Sequence, residues 1–156
     1  MEKGRQWQRA LALMLATEAQ NLELDVVAYS AALGACGRGR RWERALELLG
    51  RAGRTGLSPD VIAYSAAVSA CEQGQWPWAC ALLEEMKQKV ILPDAIAYNA
   101  AISACEKSEE WQRALELLSG MRMDSVNPSL VSYNAAISAC QKGGQWRRAL
   151  QLLGAL

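Results

Sequence analysis

AYNAAISACEK, residues 97–107, returns 35 residues later as SYNAAISACQK, residues 132–142. Two weaker copies precede them, AYSAALGACGR at 28–38 and AYSAAVSACEQ at 63–73. Single residues inside and outside the copies keep the same beat. Tyr stands at 29, 64, 98 and 133, and Trp at 7, 42, 76, 111 and 146. The period is therefore 35 residues, with one unit of 34. The missing residue lies in CEQGQW (71–76), against CEKSEEW (105–111), in a polar turn where a deletion is tolerated best. A fixed period of this size is the signature of a solenoid.

Each unit reads as two helices. Helix A runs from about Val26 to Gly37, with equivalents starting at 61, 95 and 130. Ile96, Ala100 and Ala104, with Tyr98, Ile102 and Cys105, recur at helical spacing. The Ala pairs at 31–32, 66–67, 100–101 and 135–136 leave room for a neighbouring helix to come close. A short polar turn, such as EKSEE or QKGGQ, leads into helix B and its theme W-x-R-A-L-x-L-L: WERALELL (42–49), WQRALELL (111–118), WRRALQLL (146–153). Trp and Leu at these spacings form its buried stripe. Units close on LSPD (57–60), ILPD (91–94) or VNPS (126–129). Proline separates helix B from the next helix A, and the Asp or Ser after it is placed to N-cap that helix. The first closing segment, LELD (22–25), lacks Pro and is expected to turn more loosely.

The expected fold is an all-α, right-handed α-solenoid of stacked helix–turn–helix hairpins, about nine helices in all. The chain divides into a partial unit of helix B alone (1–25), units 26–60, 61–94 (one residue short) and 95–129, and a C-terminally truncated unit 130–156. No secretory or transit signal opens the chain. MEKGRQWQRALALM matches QKGGQWRRALQLL, which lies inside a unit, and the chain stops at Leu156 just after that same segment. Both ends read as cut from a longer array.

Composition narrows the function. Apolar residues make up 51% of the chain, and 17 basic residues face 16 acidic ones for a net charge of +1. Uncharged stretches in the repeats, such as VIAYSAAVSAC, are shorter than the ~20 residues of a membrane span. There is no His, which removes the commonest general base and metal ligand. Five Cys remain, without a C-x-x-C pair, and four of them (Cys36, Cys71, Cys105, Cys140) follow the period. They read as small buried hydrophobes of a reducing interior rather than disulfides or zinc ligands. Neither cofactor nor metal is expected. Carboxylates such as Glu84–Glu85 and Glu109–Glu110 read as solvated surface, so no enzyme is expected.

Packing does not account for one set of residues. Polar side chains line up at i, i+4 and i+8 along helix A: Ser30, Gly34, Arg38; Ser65, Ser69, Gln73; Asn99, Ser103, Lys107; Asn134, Ser138, Lys142. Three residues before the first of each row stands an aliphatic side chain, Val27, Ile62, Ile96 or Val131. Asp60, Asp94 or Ser129, closing each unit, is placed to approach the first polar residue from the neighbouring repeat. An aliphatic surface can hold one face of a base, two small polar groups can read its edge, and Arg38, Lys107 or Lys142 can meet a phosphate. A plain solvated helix face with capping residues fits the same pattern, so periodicity alone leaves both readings open.

The units resemble the pentatricopeptide repeat family, 35-residue helical hairpins of organelle RNA-binding proteins. The shared features are Tyr followed by Asn or Ser, A-L-x-L-L in helix B, and the closing Pro-Asp; residues 61–94 show the whole pattern. The resemblance implies one base of single-stranded RNA per repeat, read by the residue after the Tyr and the last residue of the unit. Ser30 with Asp60 and Ser65 with Asp94 then imply guanine, and Asn99 with Ser129 a pyrimidine, cytosine favoured. Asn134 implies a pyrimidine, and Asp25 ends the first partial unit in the corresponding place. The implied site is roughly 5′-G-G-C-Y-3′, with Val27, Ile62, Ile96 and Val131 sandwiching the bases. A mitochondrial or plastid location, and a role in RNA processing, stability or translation, follow from the family alone.

Two departures stand out: Pro77 and Trp78 replace the x-R of the helix B theme, and Cys80 replaces its Leu. The Trp opening each helix B reads as core rather than a stacking platform. Glu72 and Glu106 fall close to where phosphates would run. With the near-neutral charge, they keep open an alternative, a scaffold that binds protein partners or is built into a larger assembly.

Overall fold

The computed structural model describes residues 6–20 and 25–155. The opening residues 1–5 and, Asp25 apart, the closing segment LELD lie outside them. Among the described residues there are nine helices and no strand: α1 Gln6–Ala19, α2 Val26–Arg38, α3 Trp42–Arg54, α4 Val61–Ala70, α5 Trp76–Gln88, α6 Ala95–Lys107, α7 Trp111–Met123, α8 Leu130–Lys142 and α9 Trp146–Leu153. Even-numbered helices are type A and odd-numbered ones type B.

Helix A packs on helix A (α2 on α4, α4 on α6, α6 on α8), which makes one continuous inner layer. Each of α3, α5 and α7 lies against the helix A before it and the helix A after it. Small side chains allow the close inner seam. Ala32, Ala67, Ala101 and Ala136 are buried, as are Cys36, Cys71, Cys105 and Cys140. Burial pushes the thiols of Cys36, Cys71 and Cys140 up, Cys71 to about 12, so they stay protonated and pack as hydrophobes. Cys80 lies against the same core, where a hydrogen bond from Cys105 draws its thiol down.

The repeated Tyr ties the two layers together. Tyr64 and Tyr98 are among the largest fully buried side chains, and each sends its hydroxyl out between the B helices. Tyr64 donates to Glu85 Oε1 at 2.8 Å and accepts from Lys89 Nζ at 2.8 Å. Tyr98 donates to Asp124, which also pairs with Lys87 at 3.1 Å, and Tyr133 accepts from Arg122. A buried ring with a satisfied polar tip is what such a position requires.

The short unit departs from its expected form. α4 stops at Ala70, ten residues against thirteen in α2, α6 and α8. The deletion therefore shortens the helix, and Gln73 sits in the following turn rather than on the helical stripe.

Helix ends are more uniform than the sequence implies. α5 closes with Ile91 N–H donating to Met86 O at 2.8 Å and Val90 N–H to Lys87 O at 3.0 Å. This is the Schellman arrangement, which needs a left-handed residue between the bonds. Gly56 and Gly144 fill that place in two turns, but Arg40, Val90, Glu109 and Ser125 fill it in others with φ of 54, 60, 61 and 59°. Val90 is the most strained of these, being β-branched, and it is 87% exposed, so its side chain adds little packing. Val90→Gly is expected to stabilise the fold by about 1 kcal/mol in urea unfolding. A neutral or destabilising result would mean that the valine side chain carries contacts this geometry does not show.

Candidate nucleic-acid interface

Asp25, Asp60 and Asp94 stand in extended backbone just before α2, α4 and α6. Each caps its helix through Oδ1, accepting the N–H of Ala28, Ala63 or Ala97 at 2.8, 2.9 and 2.9 Å. Two of these oxygens also reach back to the helix A of the unit they close. Ser65 Oγ donates to Asp94 Oδ1 at 2.8 Å, and Ser30 Oγ to Asp60 Oδ1 at a looser 3.4 Å. Capping one helix A and pairing with the helix A before it are thus one arrangement, which leaves Oδ2 of each aspartate outside these bonds.

The third pair forms differently. Asn99 Oδ1 accepts from Ser132 Oγ at 2.6 Å, so the partner of Asn99 is the third residue of α8, not Ser129. Ser129 is exposed and forms a capping box with Ser132 across the first turn of α8. A serine side chain is shorter than aspartate, and here it stays with its own helix. Sequence reasoning missed Ser132, although a signal was present: α2, α4 and α6 carry Ala28, Ala63 and Ala97 at that position. Asn134, in the last unit, is exposed.

Beside these pairs runs a row of aliphatic side chains with nothing packed over them. Val27, Ile62, Ile96 and Val131 are 73, 63, 62 and 58% exposed. Each occupies the second position of its helix, three residues before the hydroxyl or amide, and so shares its face. Apolar side chains repeated at one exposed position in four consecutive units are not core.

At the far end of the stripe the cations are engaged. Lys107 Nζ lies 3.2 Å from Glu72 Oε1, and Lys142 Nζ 2.9 Å from Glu106 Oε1. Each pair joins consecutive repeats. Burial works to raise the Glu106 carboxyl, but hydrogen bonds from Lys142 and from Ser138, the latter at 2.8 Å, outweigh it and hold the carboxyl low. Arg38 is exposed and lies along α2 over Gly34.

The tryptophans that open helix B were expected in the core, and Trp146 departs from this: in the last unit, with no following helix A to pack on, it is 62% exposed. Trp42, Trp76 and Trp111 pack against the core, and guanidinium groups of Arg41 and Arg148 lie 4.7 Å from the rings of Trp7 and Trp111. Pro77 sits in the first turn of α5, where its missing N–H costs nothing. Trp78 is 48% exposed and stacks on Trp42 with centroids 6.3 Å apart. No group of three His, Cys, Asp or Glu side chains suited to a metal occurs among the described residues, and no helix there is long and apolar enough to cross a membrane.

The family profile described as pentatricopeptide repeat domain matches residues 13–73 and 81–143, and that described as PPR repeat matches residues 131–156. The chain belongs to the pentatricopeptide repeat family. Among solved structures, the pentatricopeptide repeat protein PPR10 in complex with an 18-nt psaJ RNA element is 31% identical with a TM-score of 0.81, over 96% of this chain. The pentatricopeptide repeat protein PPR10 from maize, in a second structure, is 28% identical with a TM-score of 0.77, also over 96% of this chain. The chain spans 22% of the length of both. The PPR domain of Arabidopsis thaliana protein-only RNase P 1, in complex with tRNA, is 16% identical with a TM-score of 0.79, over 93% of this chain and 79% of that one, a likeness of fold. A search of the curated proteins found no match.

Proposed function

We propose that this pentatricopeptide repeat segment binds single-stranded RNA and reads one base per repeat, within organelle RNA metabolism. The observation that carries the reading is the register of the exposed face. Four uncovered aliphatic side chains recur beside a hydroxyl or amide, and in three repeats a polar group at the start of the following helix A is bonded to it. Val27, Ile62, Ile96 and Val131 would sandwich the bases, and the polar pairs would meet their edges. The likeness to PPR10, described in complex with RNA, supports the same reading.

The chemistry of each pair follows from its donors and acceptors. Where Ser65 donates its proton to Asp94, the hydroxyl oxygen and the second carboxylate oxygen remain as acceptors. Two acceptors side by side suit guanine, whose N1–H and N2–H2 are adjacent donors. Ser30 with Asp60 offers the same edge. Asn99, with Ser129 closing its unit, and Asn134 are assigned pyrimidines, so the proposed site is 5′-G-G-C-Y-3′. Arg38, Lys107 and Lys142 are assigned to phosphates, the two lysines by exchanging Glu72 and Glu106 for the RNA backbone. These residues carry recognition and no catalytic step.

The same ion pairs favour a second reading. A stripe whose lysines are already neutralised suits a protein partner, as in a scaffold or a larger assembly. Fluorescence anisotropy at low and moderate salt separates the two, with one RNA containing GGCU and one carrying AAGA. Preference for GGCU is expected. Equal and feeble binding to both would set the RNA reading aside in favour of the scaffold.

A further inference from the structure

We propose that Ser132 is a positioning residue that sets the choice between cytosine and uracil at the third base, acting through Asn99. The inference rests on the RNA reading above and adds a residue that lies outside the unit it serves.

The hydrogen-bond geometry orients the amide. Ser132 Oγ accepts the backbone N–H of Ser129 at 3.0 Å, which places that oxygen firmly at the start of α8. The Ser132 side chain is fully buried, so no water competes for its proton. It approaches Asn99 at 2.6 Å. Because Ser132 Oγ already accepts from Ser129, its proton is what it has to give, and Oδ1 of Asn99 takes it. Ser129 Oγ, at 3.3 Å from Ser132 Oγ, is the more distant alternative.

With Oδ1 held by Ser132, Asn99 offers a base its Nδ2–H2 group, which only donates. Cytosine presents two adjacent acceptors, N3 and O2. Uracil places a donor, N3–H, between its two acceptors. A fixed amide donor thus fits the cytosine edge and opposes the uracil N3–H. An unfixed amide turns over at little cost and serves either base. In the first two units the corresponding residues of the next helix are Ala63 and Ala97, and an aspartate meets the serine directly. The third unit closes with Ser129, which does not take up Asn99, and Ser132 supplies the missing partner.

The test measures anisotropy of the whole chain against GGCU and GGUU, and against AGCU and GACU for the first two positions. One well-oriented base contact is worth ~1–3 kcal/mol, so wild type is expected to favour cytosine over uracil by at least about fivefold. Ser132→Ala is expected to bring that ratio near one while the guanine preferences at the first and second positions stand. Ser132→Thr, which keeps the hydroxyl, is expected to restore the ratio, and thermal unfolding of each variant reports on its fold.

Wild type binding GGCU and GGUU equally would overturn the proposal and leave the RNA reading intact. So would a Ser132→Ala variant that keeps its cytosine preference, or that weakens on all four RNAs alike, since a merely structural role has that signature. Failure of wild type to select any of these RNAs would remove the RNA reading itself, and the proposal with it.

Discussion

Replacing Ile62 and Ile96 together by Asp is expected to weaken RNA binding at least about tenfold, equivalent to ~1.4 kcal/mol, while the thermal midpoint stays close to wild type. The two effects part because of where these side chains lie. Both are largely exposed at the second position of their helices, α4 and α6, so truncating them opens no cavity. An acidic residue in the first turn also faces the positive end of the helix dipole, a favourable contact of ~0.3–1 kcal/mol. On the RNA side, two apolar surfaces against which bases would rest are lost. Two carboxylates would also stand beside the phosphate path. Anisotropy with the GGCU RNA and circular dichroism on heating supply the two readouts. Unchanged affinity would remove the sandwiching role of these residues, and a collapsed midpoint would show that they belong to the core after all.

Gly143→Ala is expected to destabilise the fold by about 1–3 kcal/mol, the usual cost of forcing extra volume into a packed site. Gly143 has an ordinary backbone, with φ of −78°, so conformational freedom is not what it supplies. It supplies space. A Cβ there would fall 2.2 Å from Cδ1 of Trp111 and 2.9 Å from its Cγ. The ring has little room to retreat, because it packs against the core on one side and lies under Arg148 on the other. Gly39 and Trp7 repeat this contact one end of the array away, with a Cβ 2.6 Å from the ring. Gly53 provides the contrast: it lies inside α3 with nothing within 4 Å of an added Cβ. Gly53→Ala is expected to stabilise by ~0.5–1 kcal/mol, through the entropy that glycine loses on entering a helix. Chemical denaturation of both variants checks the pair; a stabilising Gly143→Ala would mean that the Trp111 ring moves freely.

Several features of the interface were legible before any coordinates. Val27, Ile62, Ile96 and Val131 stood out as aliphatic side chains three residues before each polar one, and all four are exposed, Ile96 included, although its spacing to Ala100 and Ala104 had set it on the apolar face. Asp60 and Asp94 were legible because a carboxylate after Pro and before an apolar helix has few other local uses. Ser129 was read by analogy with those aspartates, and the analogy failed on side-chain length. Gln73 was placed on a helix by counting, but a deletion near a helix end is absorbed by ending the helix early.

The sequence by itself determined the solenoid. Ala, Cys and Tyr at fixed helical offsets, repeated every 34 or 35 residues, allow close A-on-A packing in one manner only, because each unit must bury the same stripe against its neighbour. Tertiary structure alone decided which polar groups meet across the seam. Asn99 with Ser132, Lys107 with Glu72 and Lys142 with Glu106 lie 33, 35 and 36 residues apart. Whether such groups touch depends on the rise and rotation from one unit to the next and on side-chain reach. Periodicity locates the rows on each helix, but the stacking of the helices sets the distances between them.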